Sequence, residues 1–554
     1  MIHTTRIKTQ AALIVLIGIF AAPFVVAQDL GDEQINVVKD YKPALSQAIK
    51  ITDIPSGDTG TYLNVEQKYA ILEISANNNF VPSPIKPVKI KDDNIKNLQR
   101  GFIKAGYGLE KTSLIEAYYN SLRSKDFNAG FSFRHLSTNG KINDYGFPGA
   151  SDNRISLFGK KFMDKAALNA RVNFQRDVHH FYGFKVPPDL FSKKETRHVL
   201  NTIETELNFE SYFNNKTEDP AYKVGMEYYN TSNNFDLNES HFGFKGMLAK
   251  RIDDHNLRLA VDASLNKYES KLYDTLNLDN ANNVIRILPS YMFKKRNLML
   301  VLGLNVVNEK LQDSELHLYP HAELTYNVQD AFVLYGKFSG NIQQHSLYSI
   351  SRENPFIGSD VVIGNTNRLI DLSGGVAFKI GHDLNFHGRV NIWRSEDQMF
   401  YQNNAAVDTF QTYALVYDDA NAFEVHASLS YDTRKNILLS FNTDYYNVSV
   451  DTLAEPWYTP QYKFTLRFEY RIKDKIIPRL DWYYSAAQFG KGIDGNSTVK
   501  LKPYHDLNLS VDYRYSKNLS VFVQLNNMFA QRYFSYYQYP SYRINALAGL
   551  TFSF

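Results

Sequence analysis

One stretch of strict alternation constrains this chain more than any other. Residues Tyr542 to Phe554 read YRINALAGLTFSF. Tyr542, Ile544, Ala546, Ala548, Leu550, Phe552 and Phe554 fall on one side of a period of two. Arg543, Asn545, Leu547, Gly549, Thr551 and Ser553 fall on the other. Such a period is a strand with one apolar face. Two environments accept it: a soluble sandwich, or a membrane barrel whose strands are apolar towards lipid and polar towards a lumen. The same alternation recurs along the chain. Leu257, Leu259, Val261 and Ala263 interleave with Arg258, Asp262 and Ser264. Phe423, Val425 and Ala427 interleave with Glu424 and His426, and Phe464, Leu466 and Phe468 with Arg467 and Glu469.

The connections separate the two environments. Short ones, such as Met163–Lys165, Gly381–Asp383, Lys473–Lys475 and Ser516–Asn518, alternate with long ones near 137–151, 185–196, 344–366, 449–460 and 490–501. Short turns on one side and long loops on the other are the asymmetry of outer-membrane barrels. Sandwiches give no reason for it. Strand-like runs from residue 98 onward number about 22, or 18–22 allowing for weak runs near 98–122 and 282–309. An even count leaves both ends of the barrel on the short-turn side. The predicted class is therefore all-β, a transmembrane antiparallel up-and-down barrel.

Composition agrees. Aromatics make up 14% of the chain, with 38 Tyr and 37 Phe, enough to form interfacial girdles. Cysteine is absent, which removes disulfides, thiolate chemistry and a lipid-modified cysteine. Arg6 and Lys8, the apolar run Ala11–Phe20 and the small residues around Val25–Ala27 predict a secretory leader over 1–27. With 61 basic and 58 acidic residues, a chain losing two basic ones is nearly neutral, which argues against nucleic acid as a partner. Residues 28–97 carry Pro43, Pro55 and the proline-rich VPSPIKPV of Val81–Val88. They read as a short periplasmic or luminal segment ahead of a barrel over 98–554. The predicted address is the outer membrane of a Gram-negative bacterium, with outer-membrane lipid as the first partner.

No catalytic, cofactor or metal constellation stands out. His179 and His180 are adjacent on a strand and point to opposite faces, so they do not share an ion; a solvated loop end is the simpler reading. The polar phase of the strands predicts a luminal set of mixed sign: Glu204, Glu206, Arg258, Asp262, Arg389, Glu424, His426, Arg467, Glu469, Arg471, Asp512 and Arg514. A wet lumen alone accounts for such residues; a permeant path or a docking surface for 28–97 is the functional alternative. The last outer loop brings Arg532, Tyr533, Phe534, Tyr536, Tyr537 and Tyr539 close together. Aromatic loop tips stack on flat ligands, hold a partner, or pack at the mouth.

At the final hairpin the residues become specific. VFVQLNNMF from Val521 to Phe529 runs into Ala530-Gln531-Arg532-Tyr533, then Tyr539-Pro540, Arg543 and Phe552-Ser553-Phe554. This resembles the C-terminal end of TonB-dependent receptors, with Asn527, Phe529, Tyr533, Pro540, Arg543, Phe552 and Phe554 on the family pattern. Met528, Ala530 and Tyr542 depart from it. The resemblance implies a receptor-type barrel that transports a solute across the outer membrane. It also implies a full plug domain, and residues 28–97 are too few for one. Glu33–Val38 (EQINVV) is similar to a TonB-contacting segment. The alternative to transport is a barrel serving as scaffold or subunit of an outer-membrane assembly, with other outer-membrane or periplasmic proteins as partners. The resemblance also makes Phe554 part of an insertion signal, so Phe554→Asp is expected to impair assembly in the membrane.

Overall fold

The computed structural model describes residues 99–554, apart from 123, 185–190, 213–219, 253–254, 271–280, 330, 359–360, 405–410 and 434. The predicted leader, the segment 28–97 and Glu33–Val38 lie outside the described residues. The chain forms a 22-stranded sheet. Each strand pairs antiparallel with its sequence neighbour, and the sheet closes where the first strand, Gly101–Gly108, pairs with the last, Asn545–Ser553. The fold is a closed up-and-down barrel.

Alternation builds the two faces. Ile103, Ile155, Leu257, Ile285, Leu304 and Leu550 each expose more than a third of their surface, while the residues between them point into the lumen. This outward set is the lipid belt. Tyr119, Tyr326, Tyr431, Tyr470 and Tyr513 are also exposed, and each lies within a few residues of a short-turn end of its strand. They form the inner aromatic girdle. A barrel with this belt belongs in an outer membrane.

The last strand starts at Asn545 rather than Tyr542. Tyr542 stays in the preceding loop, where its carbonyl accepts from Asn527 at 2.8 Å and its hydroxyl donates to the Pro148 carbonyl at 3.3 Å. Leu547, on the mostly polar phase, is 4% exposed and packs with Leu114 and Phe522 inside the lumen. Loop length also departs from the expected pattern: the outer connections 109–112, 234–237 and 311–313 are short, so the rim is low there.

The wall is uneven in height. Strands at the closing seam have eight or nine residues, Gly101–Gly108, Ser113–Asn120, Leu519–Asn526 and Asn545–Ser553. Across the barrel, Leu384–Asn403 and Tyr413–Asp432 have 20 each. The seam itself is tight. Gly106 pairs with Gly549, and a Cβ on either would lie 2.7 Å from the Phe522 ring. That ring rests on the luminal side of the seam because neither residue has a side chain in its way. Lys104 Nζ lies 4.2 Å above it, a cation–π contact.

One hairpin leaves the wall. Phe332–Gln344 pairs with Ser314–Gln329 only from Phe332↔Gln329 up to Phe338↔Ala322. Beyond that point it turns inward with its other partner, Asn365–Ile380. Three irregularities lie in line across the sheet: at Ser339/Asn341, at Arg368/Ile370 and at Ser395/Gln398. Asp397, in the last of them, has φ of 52°. Bulges bend a sheet and tighten its twist, and here they swing its outer half into the lumen. Ile342 is fully buried against Val284, Val307 and Tyr319, inward-facing side chains of the strands it crosses. Arg286 fixes the crossing: Nε donates to Asn341 Oδ1 at 2.9 Å, Nη1 to Asp262 at 3.1 Å and Nη2 to the Ile342 carbonyl at 2.6 Å. The Tyr319 hydroxyl adds a bond to Asn367 at 2.6 Å.

Candidate functional site

The in-folded hairpin carries a short helix, Leu347–Glu353, into the mouth of the barrel. Its first turn is capped twice. Ser346 and Ser349 form a reciprocal capping box, each side chain accepting from the other's backbone N–H at 3.1 Å. Glu239, fully buried on another strand, accepts from the Tyr348 N–H at 3.0 Å. A carboxylate there complements the positive end of the helix. Leu347 and Ile350 are each 1% exposed and pack with Phe181, Leu237, Tyr268, Tyr401, Tyr413 and Tyr539. These residues come from six different loops or strand ends, so the long connections meet in one apolar cap.

Phenol hydroxyls bind the cap together across loops. Tyr413 donates to the Tyr537 carbonyl at 2.9 Å, Tyr536 to the Glu353 carbonyl at 2.9 Å, Tyr182 to the Pro540 carbonyl at 3.0 Å and Tyr401 to the Glu353 carboxylate at 2.8 Å. Tyr458 donates to Asn403 at 2.9 Å, and Tyr539 donates to the Gln411 carbonyl. Burial pushes the Tyr458, Tyr536 and Tyr539 phenols upward, so all three remain donors at physiological pH. Each such bond contributes about 1 kcal/mol net. Because they join separate loops, they act as cross-links.

The predicted outer-loop residues are part of this cap. Tyr539 is 3% exposed and stacks on Phe356 with centroids 3.6 Å apart. Tyr536 packs beside Tyr413, Tyr458 and Phe356. Tyr533 stacks on Tyr504 at 4.2 Å and donates to Asp506 at 2.8 Å. Phe534 and Tyr536 flank a small hairpin with Tyr539–Pro540. Tyr537 supplies the carbonyl held by Tyr413, and Arg532 is half-buried.

The motif residues of the last hairpin divide by role. Asn527 is 5% exposed with φ of 49°, and its amide donates to the carbonyls of Gln531 at 2.7 Å and Tyr542 at 2.8 Å. It ties both legs of the last loop together at the base. Pro540 offers the carbonyl taken by Tyr182. Phe529, Phe552 and Phe554 point outward and are 56%, 50% and 42% exposed. Arg543 is exposed, with no ion pair among the described residues.

Beneath the cap lies a chamber of about 450 Å³, bounded by Trp393, Trp457, Tyr401, Tyr458, Arg368 and Lys463. The Arg368 guanidinium sits 4.8 Å over the Trp393 ring and Lys463 Nζ 5.6 Å over Tyr446. Trp457 is 5% exposed, and its Nε1–H has no acceptor among the described residues. His345 closes the chamber above. It bonds Thr366 at 3.0 Å, and burial, with Arg368 adding to it, lowers its pKa to about 4.

Most of the predicted luminal residues are paired. Asp262 meets Arg286 at 3.1 Å, Arg389 meets Glu424 at 2.9 Å, His426 meets Asp444 at 2.7 Å and Arg467 meets Asp481 at 2.6 Å. Glu469 holds Arg471 at 3.0 Å and Arg479 at 2.6 Å. Glu204 accepts from Asn173 at 2.8 Å, and Glu206 lies across from Arg171 and Glu227. Arg514 donates to the Asp474 carbonyl at 3.4 Å. Arg258 and Asp512 have no ion pair among the described residues. The twelve positions line the wall separately and do not converge on a single centre. His180 differs from the solvated reading: it is 8% exposed, packed edge-on to Phe147 and bonded to the Gly149 carbonyl at 2.6 Å. Sequence reasoning missed Arg286, Glu239, Tyr413 and Tyr458. Arg286 was the most accessible, being a lone cation in an apolar strand run.

The sequence matches no protein-family model and no curated protein. Its structure is similar to solved outer-membrane receptors at low identity. The siderophore receptor PirA from Acinetobacter baumannii superposes with a TM-score of 0.63 at 12% identity, over 82% of this chain and 80% of that one. The FrpB iron transporter from Neisseria meningitidis gives 0.64 at 12%, over 83% and 82%. The pyoverdine outer membrane receptor FpvA from Pseudomonas aeruginosa, bound to pyoverdine, gives 0.60 at 13%, over 82% and 78%. The chain therefore has the fold of receptor-type outer-membrane barrels.

Proposed function

We propose that this chain takes up a solute across the outer membrane and admits it past a loop cap at the mouth. The observation that carries this reading is the chamber beneath the cap. It combines aromatic walls, two cations and an unsatisfied buried indole N–H, the mixture of apolar surface and a few placed polar groups that ligand sites show. The fold supports it, since the solved barrels it resembles are named as receptors and transporters. Two of those names make a ferric chelate the first solute to test. The luminal ion pairs hydrate the route below. TonB is the proposed partner, through Glu33–Val38. No chemical transformation is assigned to the chain.

Uptake of a labelled ferric chelate by cells dependent on this protein tests the reading. Transport is expected, and Trp457→Phe together with Arg368→Ala is expected to weaken it about tenfold. Deleting residues 33–38 is expected to abolish energised uptake and leave solute binding unchanged. The cross-linked cap favours a second reading, a sealed scaffold for an outer-membrane assembly. A barrel that binds no solute, stays closed in a planar bilayer after removal of 28–97, and copurifies with a second envelope protein would establish the scaffold instead.

A further inference from the structure

The inward turn of Phe332–Gln344 has a consequence for the strand it leaves. Ser314–Gln329 pairs with Leu298–Lys310 from Ser314↔Lys310 to Tyr326↔Leu298 on one side. On the other side its ladder begins only at Ala322. Residues 314–321 therefore present an unpaired edge eight residues long, inside a barrel that is otherwise closed. Pro320, a residue that sheets tolerate at edges, lies in this half. Unsatisfied N–H and C=O groups in a row are a template for another strand.

A cleft of about 590 Å³ lies between this edge and the in-folded sheet. Its lining includes Glu309, Asp313, Glu315, Glu396 and Asp397, and no Lys or Arg among the described residues. Amides and His317 hold some of these acids, the histidine also lying 3.8 Å from Glu315. Glu309 accepts from Asn365 at 2.7 Å and lies 3.4 Å from His317, and Glu396 accepts from Asn367 at 3.0 Å. None of the five has a lysine or arginine partner among the described residues, in contrast to the paired carboxylates lower in the lumen.

We infer that this cleft docks an extended, cationic segment of a partner protein by strand addition to residues 314–321. The register sets its pattern. Glu315, His317 and Tyr319 face inward, while Leu316 and Leu318 face outward and are 65% and 59% exposed. A strand added in register places alternate side chains beside each set. The incoming segment therefore alternates cationic residues, facing the carboxylates, with apolar ones, facing outward beside the two leucines. Main-chain bonds supply the affinity and the acids supply the choice of partner. This inference is independent of whether a solute passes through the barrel.

The test uses the full chain in detergent and a fluorescent Lys–Val alternating peptide, read by anisotropy and by hydrogen exchange. Saturable binding is expected, with slowed exchange at the amides of 314–321. The same peptide N-methylated at alternate residues keeps its charge and loses its donors, and is expected to bind about tenfold more weakly. Glu309→Gln with Glu315→Gln and Glu396→Gln is expected to weaken binding by about tenfold, and a Glu–Val peptide is expected not to bind. Failure of the Lys–Val peptide to bind overturns the inference. So does equal binding of the N-methylated peptide, which shows charge attraction alone, and so does unchanged exchange at 314–321. The peptide comparison uses the native chain, so it decides the matter even if the triple variant does not fold.

Discussion

Two parts of this wall handle the strand ladder in opposite ways. At the closing seam, Gly101–Gly108 and Asn545–Ser553 run in unbroken register from Phe102↔Ser553 to Gly108↔Leu547. At the in-folded hairpin the ladder is abandoned halfway up, and three aligned bulges steer the sheet inward. Close backbone approach over glycines holds the first. Side chains hold the second, chiefly Arg286, Ile342 and Tyr319. A barrel can therefore give up part of its ladder where buried side-chain contacts replace the lost main-chain bonds.

The contrast is sharpest at Arg286. Arg286→Met leaves Asp262 and the Ile342 carbonyl without a donor and is expected to cost about 3–5 kcal/mol. It should loosen the in-folded half and leave the seam intact. Limited proteolysis is expected to cut within 339–371, and conductance in a planar bilayer to rise. Loss of the whole barrel would show instead that the two regions are not independent.

Gly549→Ala acts on the other region. The new methyl collides with the Ala105 carbonyl and meets the Phe522 ring, at a cost of about 2–3 kcal/mol. The heat-modifiable folded band on a gel is expected to shrink. At Gly336 a Cβ meets only the Ser373 carbonyl, at 3.7 Å, so Gly336→Ala is expected to change little. Equal behaviour of the two variants would remove the claim that the seam depends on close approach.

Acid is expected to act on the capped end. His345 is neutral in the folded cap, with its pKa lowered to about 4 by burial and by Arg368. The unfolded chain takes up that proton near pH 6.5. Between those values the unfolded state holds more protons, so stability is full above about pH 6.5 and falls as the pH drops towards 4. Allowing for solvent access, the loss is about 2 kcal/mol. Protection factors for Leu347–Glu353 are expected to fall over that range, and His345→Gln is expected to flatten the response. A smaller effect than that of His345 is expected from Tyr319→Phe, which removes the bond to Asn367 and costs about 1 kcal/mol in thermal unfolding of the in-folded half.

Much of the barrel was legible from sequence because lipid on one side and water on the other enforce a period of two. Ile544, Leu550 and Phe552 show that rule, as do the paired Arg467 and Asp481. The inward turn was not legible. Ser339-Gly340-Asn341 and Ser395–Gln398 keep an ordinary strand composition, and a bulge shifts phase by too little to stand out from local noise. The cap was half legible. The aromatic run at Tyr533–Tyr539 is conspicuous, but its partners Tyr413, Phe356 and Tyr458 lie far off in sequence. Nothing local says whether a tyrosine faces a ligand or another loop. Asn527 is the clearest motif residue, because its two carbonyl bonds explain why an amide stands at the foot of the last loop.

The unequal wall has a consequence for the bilayer. A strand of eight residues, tilted as barrel strands are, rises about 20 Å. The lipid belt of such proteins is about 25 Å tall. The seam is thus shorter than the hydrocarbon it meets. Lipids beside Tyr107 and Ile103 must shorten or disorder to match, or the barrel must lean towards its seam. Either response softens the membrane on one side only, so the orientation of this protein relative to its neighbours is set by the thin side of its own wall.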